Sequence, residues 1–383
     1  MPVGGAETLL VNMLRQMNTG LIRPEIICLK DPGPLGEAVS GEFPVHSGLI
    51  GGKWDVRVLF RLAALMRARG ADAVITVGAG DKMFWGRLAA FLARVPVIAS
   101  ALHSTGWPDG VGRLNCLLTS ITDAFIAVAD SHGAFLRDFE RFPEAKIRVI
   151  RNGVDCDRFR PSEQARVDVR KELGLPADTP LVGLVAALRS EKNHQLLVRA
   201  ASSLRAQFPD LHWLIIGDGP ERSSIEELAK ELRVADRVKL LGTRHDTERL
   251  VAAMDVFTLC SLNEASPVSI LEALACGVPV ASSDVGSVKE TVVNDETGFL
   301  FESEDQGGMC EAIAKLLGDA KLRQACGERG REKVLQTGSL SSMVRGYEEL
   351  ITQSYEAASG IRSSAPSNLP SGQMIKKCEP LKH

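Results

Sequence analysis

The chain has 383 residues, 45% of them hydrophobic and 24% charged, the composition of an ordinary globular protein long enough for two domains and a tail. A formal net charge of −3 excludes the basic footprint of a nucleic-acid binder, so no nucleic acid is expected among its partners. The eight cysteines are scattered with no Cys-x-x-Cys pair, which points to reduced, buried thiols in a cytoplasmic protein and away from zinc or a disulfide framework. In chain order, Gly4 and Gly5 fall where a secretory signal needs a charged stretch and an apolar core, so no signal peptide is read. Strand-like apolar runs follow at 26–29, 73–77, 97–101, 124–128 and 147–150. The apolar stretch 83–102 is broken by Arg87, Arg94 and Pro96 and reads as a helix and then a strand, not a membrane span. Its Phe84, Trp85, Phe91 and two arginines also suit an anionic bilayer, against the plainer reading of a helix covering a parallel sheet.

A second set of strands is read at 181–185, 212–216, 238–241, 256–259 and 278–281. Val- and Ile-rich strands alternating with helices of ten or more residues imply an α/β protein with two parallel sheets, each covered on both faces. The break falls at 159–162, which assigns 1–158 to a first Rossmann-like domain and 159–340 to a second. An amphipathic closing helix over 341–357 is expected to pack back toward the first domain. The Ser/Pro/Gly-rich remainder, 358–383, cannot bury enough apolar area to offset its ordering and is expected to be disordered.

The richest stretch is 263–279. Ser266 suits a helix N-cap, Pro267 the first helical position and Gly277 the C′ position, while Pro279 bars continuation. A strand-like run at 255–259 precedes it. The N-terminus of such a helix binds anions through free N–H groups and its dipole. Two acids eight positions apart, Glu264 and Glu272, would repel a bare phosphate. A ligand carrying both phosphate and hydroxyls satisfies amides and carboxylates together, which describes a nucleotide-sugar. Other signals are weaker. Gly217-x-Gly219 after a strand is common, His103 before Ser104-Thr105 stands at a strand end, and His194 is placed at the cleft rim. Asp155-Cys156-Asp157 imitates a metal-binding D-x-D, but the Asn152-Gly153 turn ahead of it explains the stretch as interdomain linkage. No metal or cofactor is expected.

These residues resemble the family 4 retaining glycosyltransferases of GT-B architecture, two Rossmann-like doubly wound domains facing across a cleft. The resemblance covers roughly residues 4–356. Glu264 and Glu272 match the family's E-x₇-E element, followed by the similar 273–279. Arg189-Ser190-Glu191-Lys192-Asn193-His194 resembles its phosphate-clasping segment. Also similar are 216–220, Leu241-Gly242-Thr243-Arg244, the hinge-region Arg151-Asn152-Gly153-Val154-Asp155, and Gly4-Gly5-Ala6-Glu7 as the Gly-rich turn facing the cleft. The resemblance implies that Glu272 holds ribose hydroxyls and Glu264 the donor sugar, while Lys192 with an arginine balances the departing diphosphate. It places His103 in the cleft as a catalytic-site residue. It makes Gly4, Gly5, Ser266, Pro267, Val268, Gly217, Thr243 and Arg244 donor-binding, and it requires no enzymic nucleophile. The activity implied is transfer of a hexose, with retention, from a nucleotide-diphosphate sugar to a glycan or lipid-linked acceptor in envelope or exopolysaccharide synthesis. The protein is then cytoplasmic, with a peripheral contact at the inner face of the membrane through its first domain. A catalytically inactive nucleotide-sugar-binding protein and a nucleotide-sugar epimerase of the same fold are the rivals.

Two departures stand out. Only Met1-Pro2-Val3 precede Gly4, where the family carries a central strand; its loss is expected to leave two neighbouring strands with unpaired edges, and a misplaced start codon is the favoured explanation. The family's V-A-R-L pattern is Val185-Ala186-Ala187-Leu188 here, so either Arg189 supplies the charge that Ala187 lacks or the site runs on Lys192 alone.

Overall fold

The computed structural model describes residues 1, 4–52, 55–78, 81–102 and 116–360. The first half runs α1 (Gly5–Gln16), β1 (Ile26–Ile27), α2 (Gly33–Ala38), β2 (Val45–His46), α3 (Val58–Arg69), β3 (Ala73–Val77), α4 (Asp81–Ala93), β4 (Val97–Ala101), β5 (Ala124–Ala127), α5 (Asp130–Asp138) and β6 (Ile147–Val149). Strands β3 to β6 form a parallel sheet in sequence order, and every residue of β4 and β5 is buried, as a sheet covered on both faces requires. Strands β1 and β2 make a separate parallel pair. Among the described residues β1 pairs only with β2, and β3 only with β4.

The second half runs α6 (Glu163–Glu172), β7 (Leu181–Val185), α7 (His194–Leu204), β8 (His212–Ile216), α8 (Arg222–Glu231), β9 (Val238–Gly242), α9 (Thr247–Ala252), β10 (Val256–Leu259), α10 (Val268–Ala275), β11 (Val280–Ser283), α11 (Val288–Thr291), β12 (Gly298–Phe301), α12 (Gln306–Gly318) and α13 (Ala320–Thr337). Its six strands form one parallel sheet in the order β12-β11-β10-β7-β8-β9. Ser162 caps α6 by accepting from the Ala165 N–H at 3.1 Å, which fixes the start of that helix.

Helix α14 (Leu340–Ser359) crosses back to the first unit. Its Leu340, Met343, Val344, Tyr347 and Leu350 join Leu9, Val11 and Leu14 of α1 and Ala99, Ala101 and Ile126 of the sheet in one apolar cluster. It extends two residues beyond the expected 357 and ends where Gly360 adopts φ +66°.

The strand reading changes at β11 and β12, and Arg87 follows the plainer reading of its helix. Strand β11 begins at Val280 instead of 278, because Gly277 and Val278 are spent closing α10. The short edge strand β12, which follows Gly298, lacked a long apolar run and was not anticipated. Arg87 faces inward, not toward a bilayer: its side chain is 1% exposed, donates to Met83 O and Thr122 Oγ1, and stacks on Phe125.

A buried charge network fixes the base of the second sheet. The Asp255 carboxylate accepts from Arg170 Nη2 at 2.9 Å, Arg166 Nη1 at 2.8 Å and the Leu181 N–H at 2.8 Å. Arg170, 1% exposed, also donates to Thr179 O and Ala253 O, tying α6 to the starts of β7 and β10. Removing one partner of a buried network leaves the other charge uncompensated, at about 3–5 kcal/mol. Asp255→Ala is therefore expected to lower the unfolding free energy of the second unit by about 3–5 kcal/mol. Arg166→Ala, whose side chain is 32% exposed, is expected to cost about 1 kcal/mol or less. Urea midpoints read both, and equal shifts for the two variants would refute the network.

Candidate functional site

From β7 the chain proceeds to β8 and β9 on one side of the sheet, and from β10 to β11 and β12 on the other. The gap between the carboxyl ends of β7 and β10 is thus the topological switch point, where open parallel sheets bind ligands. The two strands are adjacent, with Val182 opposite Val256, so the segments following them are side by side. One carries Lys192, the other Glu264. Lys192 Nζ lies 2.6 Å from Glu264 Oε1, which also accepts from Ser261 Oγ at 2.7 Å. Glu264 Oε2 makes no hydrogen bond among the described residues. Residues 72 positions apart, assigned separately to sugar and diphosphate, form one ion pair.

The backbone around this pair is held by residues that sequence reasoning passed over. Asn193 takes a left-handed conformation (φ +48°) that closes the 3₁₀ turn Ser190–Lys192, and the buried Cys260 thiol donates to the carbonyls of Lys192 and Asn193. Burial pushes that thiol up to about 12, so it stays a neutral donor. Gly286, at φ +55°, packs so closely that a Cβ would lie 1.7 Å from the Glu264 carbonyl oxygen. Ser287 Oγ donates to Ala265 O, and Ser283 Oγ to Ser261 O at 2.7 Å. The only prior signal for these contacts was a Gly-Ser pair just after a strand.

Helix α10 begins one residue later than expected. Pro267 has φ −72° and ψ 113°, an extended backbone, and is the N-cap; Val268 is the first helical residue. Ser266 makes no cap, and its carbonyl instead accepts from Asn152 Nδ2 at 2.9 Å. The other end is as expected: the Gly277 N–H bonds to Leu274 O and the Val278 N–H to Ala273 O, with Gly277 at φ +71°. The Ile270 N–H bonds to Pro267 O at 3.2 Å, while the Val268 and Ser269 amides have no partner inside the helix. Glu272, four residues into α10, is partly buried and has no hydrogen-bond partner among the described residues. Burial pushes its carboxyl up to about 7, Glu248 adds to the rise, and Arg158 opposes it.

Helix α1, capped by Gly4, touches α10, and Val268 packs against the apolar cluster that holds α1. A side chain at Gly5 would meet open space. The switch point and the Gly-rich turn thus belong to elements in contact. Arg189 is 65% exposed, and its nearest acid is Glu191 at 3.9 Å. Gly217 is demanded by packing, since a Cβ there would lie 2.0 Å from Ala186 O; Thr243 is exposed. Arg244 is committed elsewhere: it donates to both oxygens of Asp246 at 2.8 Å and to Glu172 at 3.1 Å, and offers a ligand no open fork. His194 is not at a rim. It is 2% exposed, neither ring nitrogen has a hydrogen-bond partner among the described residues, and burial together with Lys192 pulls its pKa down to about 4. Asp155 Oδ1 accepts the Asp157 and Arg158 N–H groups, a local turn in place of a metal ligand. His103 lies outside the described residues.

Two family models match the chain, Glycosyl transferases group 1 over residues 166–333 and Glycosyltransferase Family 4 over residues 3–158. The GDP-mannose-dependent α-(1-6)-phosphatidylinositol monomannoside mannosyltransferase of Mycolicibacterium smegmatis is 30% identical, over 77% of this chain and 74% of its own length. A Rickettsia africae glycosyltransferase structure covers 92% of this chain and 97% of its own, with a TM-score of 0.80 at 22% identity. The Anabaena protein HepE in complex with UDP-glucose covers 91% and 96%, with a TM-score of 0.81 at 21% identity.

The Glu272 carboxyl yields a pH prediction with two signs. A carboxyl raised by folding favours the native state when protonated, so its contribution is fully present below its unfolded pKa and is lost as pH rises through about 7. A ligand whose hydroxyls bond the carboxylate acts oppositely and is held more tightly as pH rises through that value. Between pH 6 and 8 the ligand-free melting temperature is expected to fall, while the increment added by a nucleotide-sugar grows. Glu272→Gln should flatten both trends; an unchanged increment in that variant would exclude Glu272 from the site.

Proposed function

The chain belongs to the family 4 glycosyltransferases, transferase enzymes of GT-B architecture, and from that premise we propose that it moves a hexose, with retention, from a nucleotide-diphosphate sugar to a glycan or lipid-linked acceptor. The observation that carries this reading is the Lys192–Glu264 pair at the switch point, beside the free amides of α10. The amides at Val268 take phosphate oxygens. Glu264, through its unengaged Oε2, accepts from a hexose hydroxyl, and Glu272 from the ribose. Lys192 turns from Glu264 to the diphosphate as negative charge develops there, and Arg189, on the same segment, adds the second cation. Retention then requires no nucleophile from the chain.

The acceptor side rests on kinship. The Mycolicibacterium smegmatis relative is named for a lipid acceptor and GDP-mannose, while HepE was solved with UDP-glucose. We place the acceptor in envelope or exopolysaccharide synthesis. The packed α3 and α4 expose Phe60, Phe91 and Leu92 and carry exposed Arg57 and Arg94, a surface suited to peripheral contact with an anionic bilayer at the cytoplasmic face. No helix among the described residues is long and apolar enough to cross a membrane.

A screen of UDP-, GDP- and ADP-hexoses for donor hydrolysis or transfer tests the reading, and a wild type that turns over none of them overturns it. With the active donor, Lys192→Ala is expected to lower kcat by about 10²–10³-fold and to change KM less. Arg189→Ala should be crippled and should recover some rate on adding Ala187→Arg. Normal turnover in Arg189→Ala would leave Lys192 as the working cation and remove Arg189 from the mechanism.

A further inference from the structure

The hinge-region motif contains a buried polar group that the reading above leaves unused. Asn152 follows β6 in the segment joining the two units, and it is 5% exposed. Its backbone is fixed by its neighbours. Val154 N–H bonds to Gly338 O and Leu340 N–H to Val154 O, and Gly153 lies so close to the return chain that a Cβ would stand 2.5 Å from Ser339 O. The Asn152 side chain reaches 114 positions along the chain to donate from Nδ2 to Ser266 O at 2.9 Å. The amide orientation follows from that partner, because a backbone carbonyl can only accept. Its other polar atom, Oδ1, is buried and bonded to nothing among the described residues. An orphaned buried acceptor forfeits its hydration without recompense, and a native structure that keeps one has a reason for it.

The surroundings narrow that reason. Ser266 stands two residues after Glu264 and two before Val268, and two residues span at most about 7 Å. The orphan oxygen is therefore within a pyranose ring's reach of the carboxylate and of the helix amides. It can accept only from O–H or N–H, and an ionised diphosphate has neither. The ribose is assigned to Glu272, six residues further along. We propose that Asn152 is a donor-sugar contact supplied by the interdomain linker, with Nδ2 holding the Ser266 carbonyl and Oδ1 accepting a hydroxyl of the bound hexose. This assignment rests on the nucleotide-sugar reading above.

The test is a thermodynamic cycle between ligand and protein, since deleting a hydroxyl and deleting its partner are non-additive only if the two touch. Donor kcat/KM is measured for wild type and Asn152→Ala with UDP-glucose or GDP-mannose, whichever the wild type uses. The same is done with that donor's 2-, 3-, 4- and 6-deoxy-hexose forms and its 2′-deoxyribose form. One deoxy-hexose form is expected to lose about three- to tenfold in wild type, the loss of one neutral hydrogen bond, and less than twofold in Asn152→Ala. Asn152→Asp, which keeps an acceptor and loses the donor to Ser266, should retain the discrimination. If Asn152→Ala does not fold, Asn152→Ser, whose hydroxyl is too short to reach, replaces it. Equal losses in wild type and variant for every form, or coupling confined to the 2′-deoxyribose form, would overturn the assignment and leave Asn152 as a pin for Ser266. A wild type that turns over no donor would instead overturn the reading beneath it.

Discussion

The Lys192–Glu264 pair is the contact on which the rest of the second unit is arranged, and it exists because β7 and β10 are neighbours. Parallel strands joined by helices carry every following loop to one edge of the sheet. At the point where the strand order reverses, two such loops face each other with no helix between them. A cation on one and a carboxylate on the other meet there at 2.6 Å, with side chains 24% and 10% exposed. Their attraction offsets part of the cost of drawing both from water. An anionic ligand can replace that attraction for Lys192, and sugar hydroxyls can replace it for Glu264. The pair thereby keeps a cation and a carboxylate together at the switch point.

Holding that geometry is the task of backbone contacts. The segment from Ser261 to Ser266 contains no regular structure, yet its carbonyls are taken up from outside, by Ser283, Ser287 and Asn152. Gly286 allows the neighbouring loop to lie against Glu264 without a side chain between them. Cys260 does the same service for Lys192 from beneath. Positioned through its carbonyls, a segment that is neither helix nor strand is still held in place.

The two glutamates of one sequence element are in opposite situations. Glu264 is set against an ammonium and a hydroxyl, whereas Glu272 has no hydrogen-bond partner among the described residues and is pushed up to about 7 by burial. The difference comes from position: Glu264 lies on the loop at the switch point, while Glu272 lies on α10 between Glu248 and Arg158, which are occupied with each other at 2.7 Å. One carboxylate is balanced by an internal counter-charge; the other is not. The same logic demotes Arg244. It carries the right charge in the right motif, but Asp246 and Glu172 already saturate its fork.

The sequence by itself determined the two parallel units, nearly all their strands and the Schellman end of α10. Each of these is written locally, in apolar runs, caps and glycines whose meaning depends on a few adjacent residues. Only the tertiary structure decided that Lys192 and Glu264 touch, that Arg87 and His194 are buried, that Arg244 is occupied, and that Gly286, Ser287, Cys260 and Asn152 support the site. Those outcomes depend on strand order and on backbones approaching across 22 to 114 residues of sequence. The short strand β12 and the one-residue shift of α10 belong with them, because edge pairing and the path of Ser266 were settled by partners elsewhere in the chain. A side chain's type and spacing show what it is able to bind; which partner it has already bound is known only once the chain has folded around it.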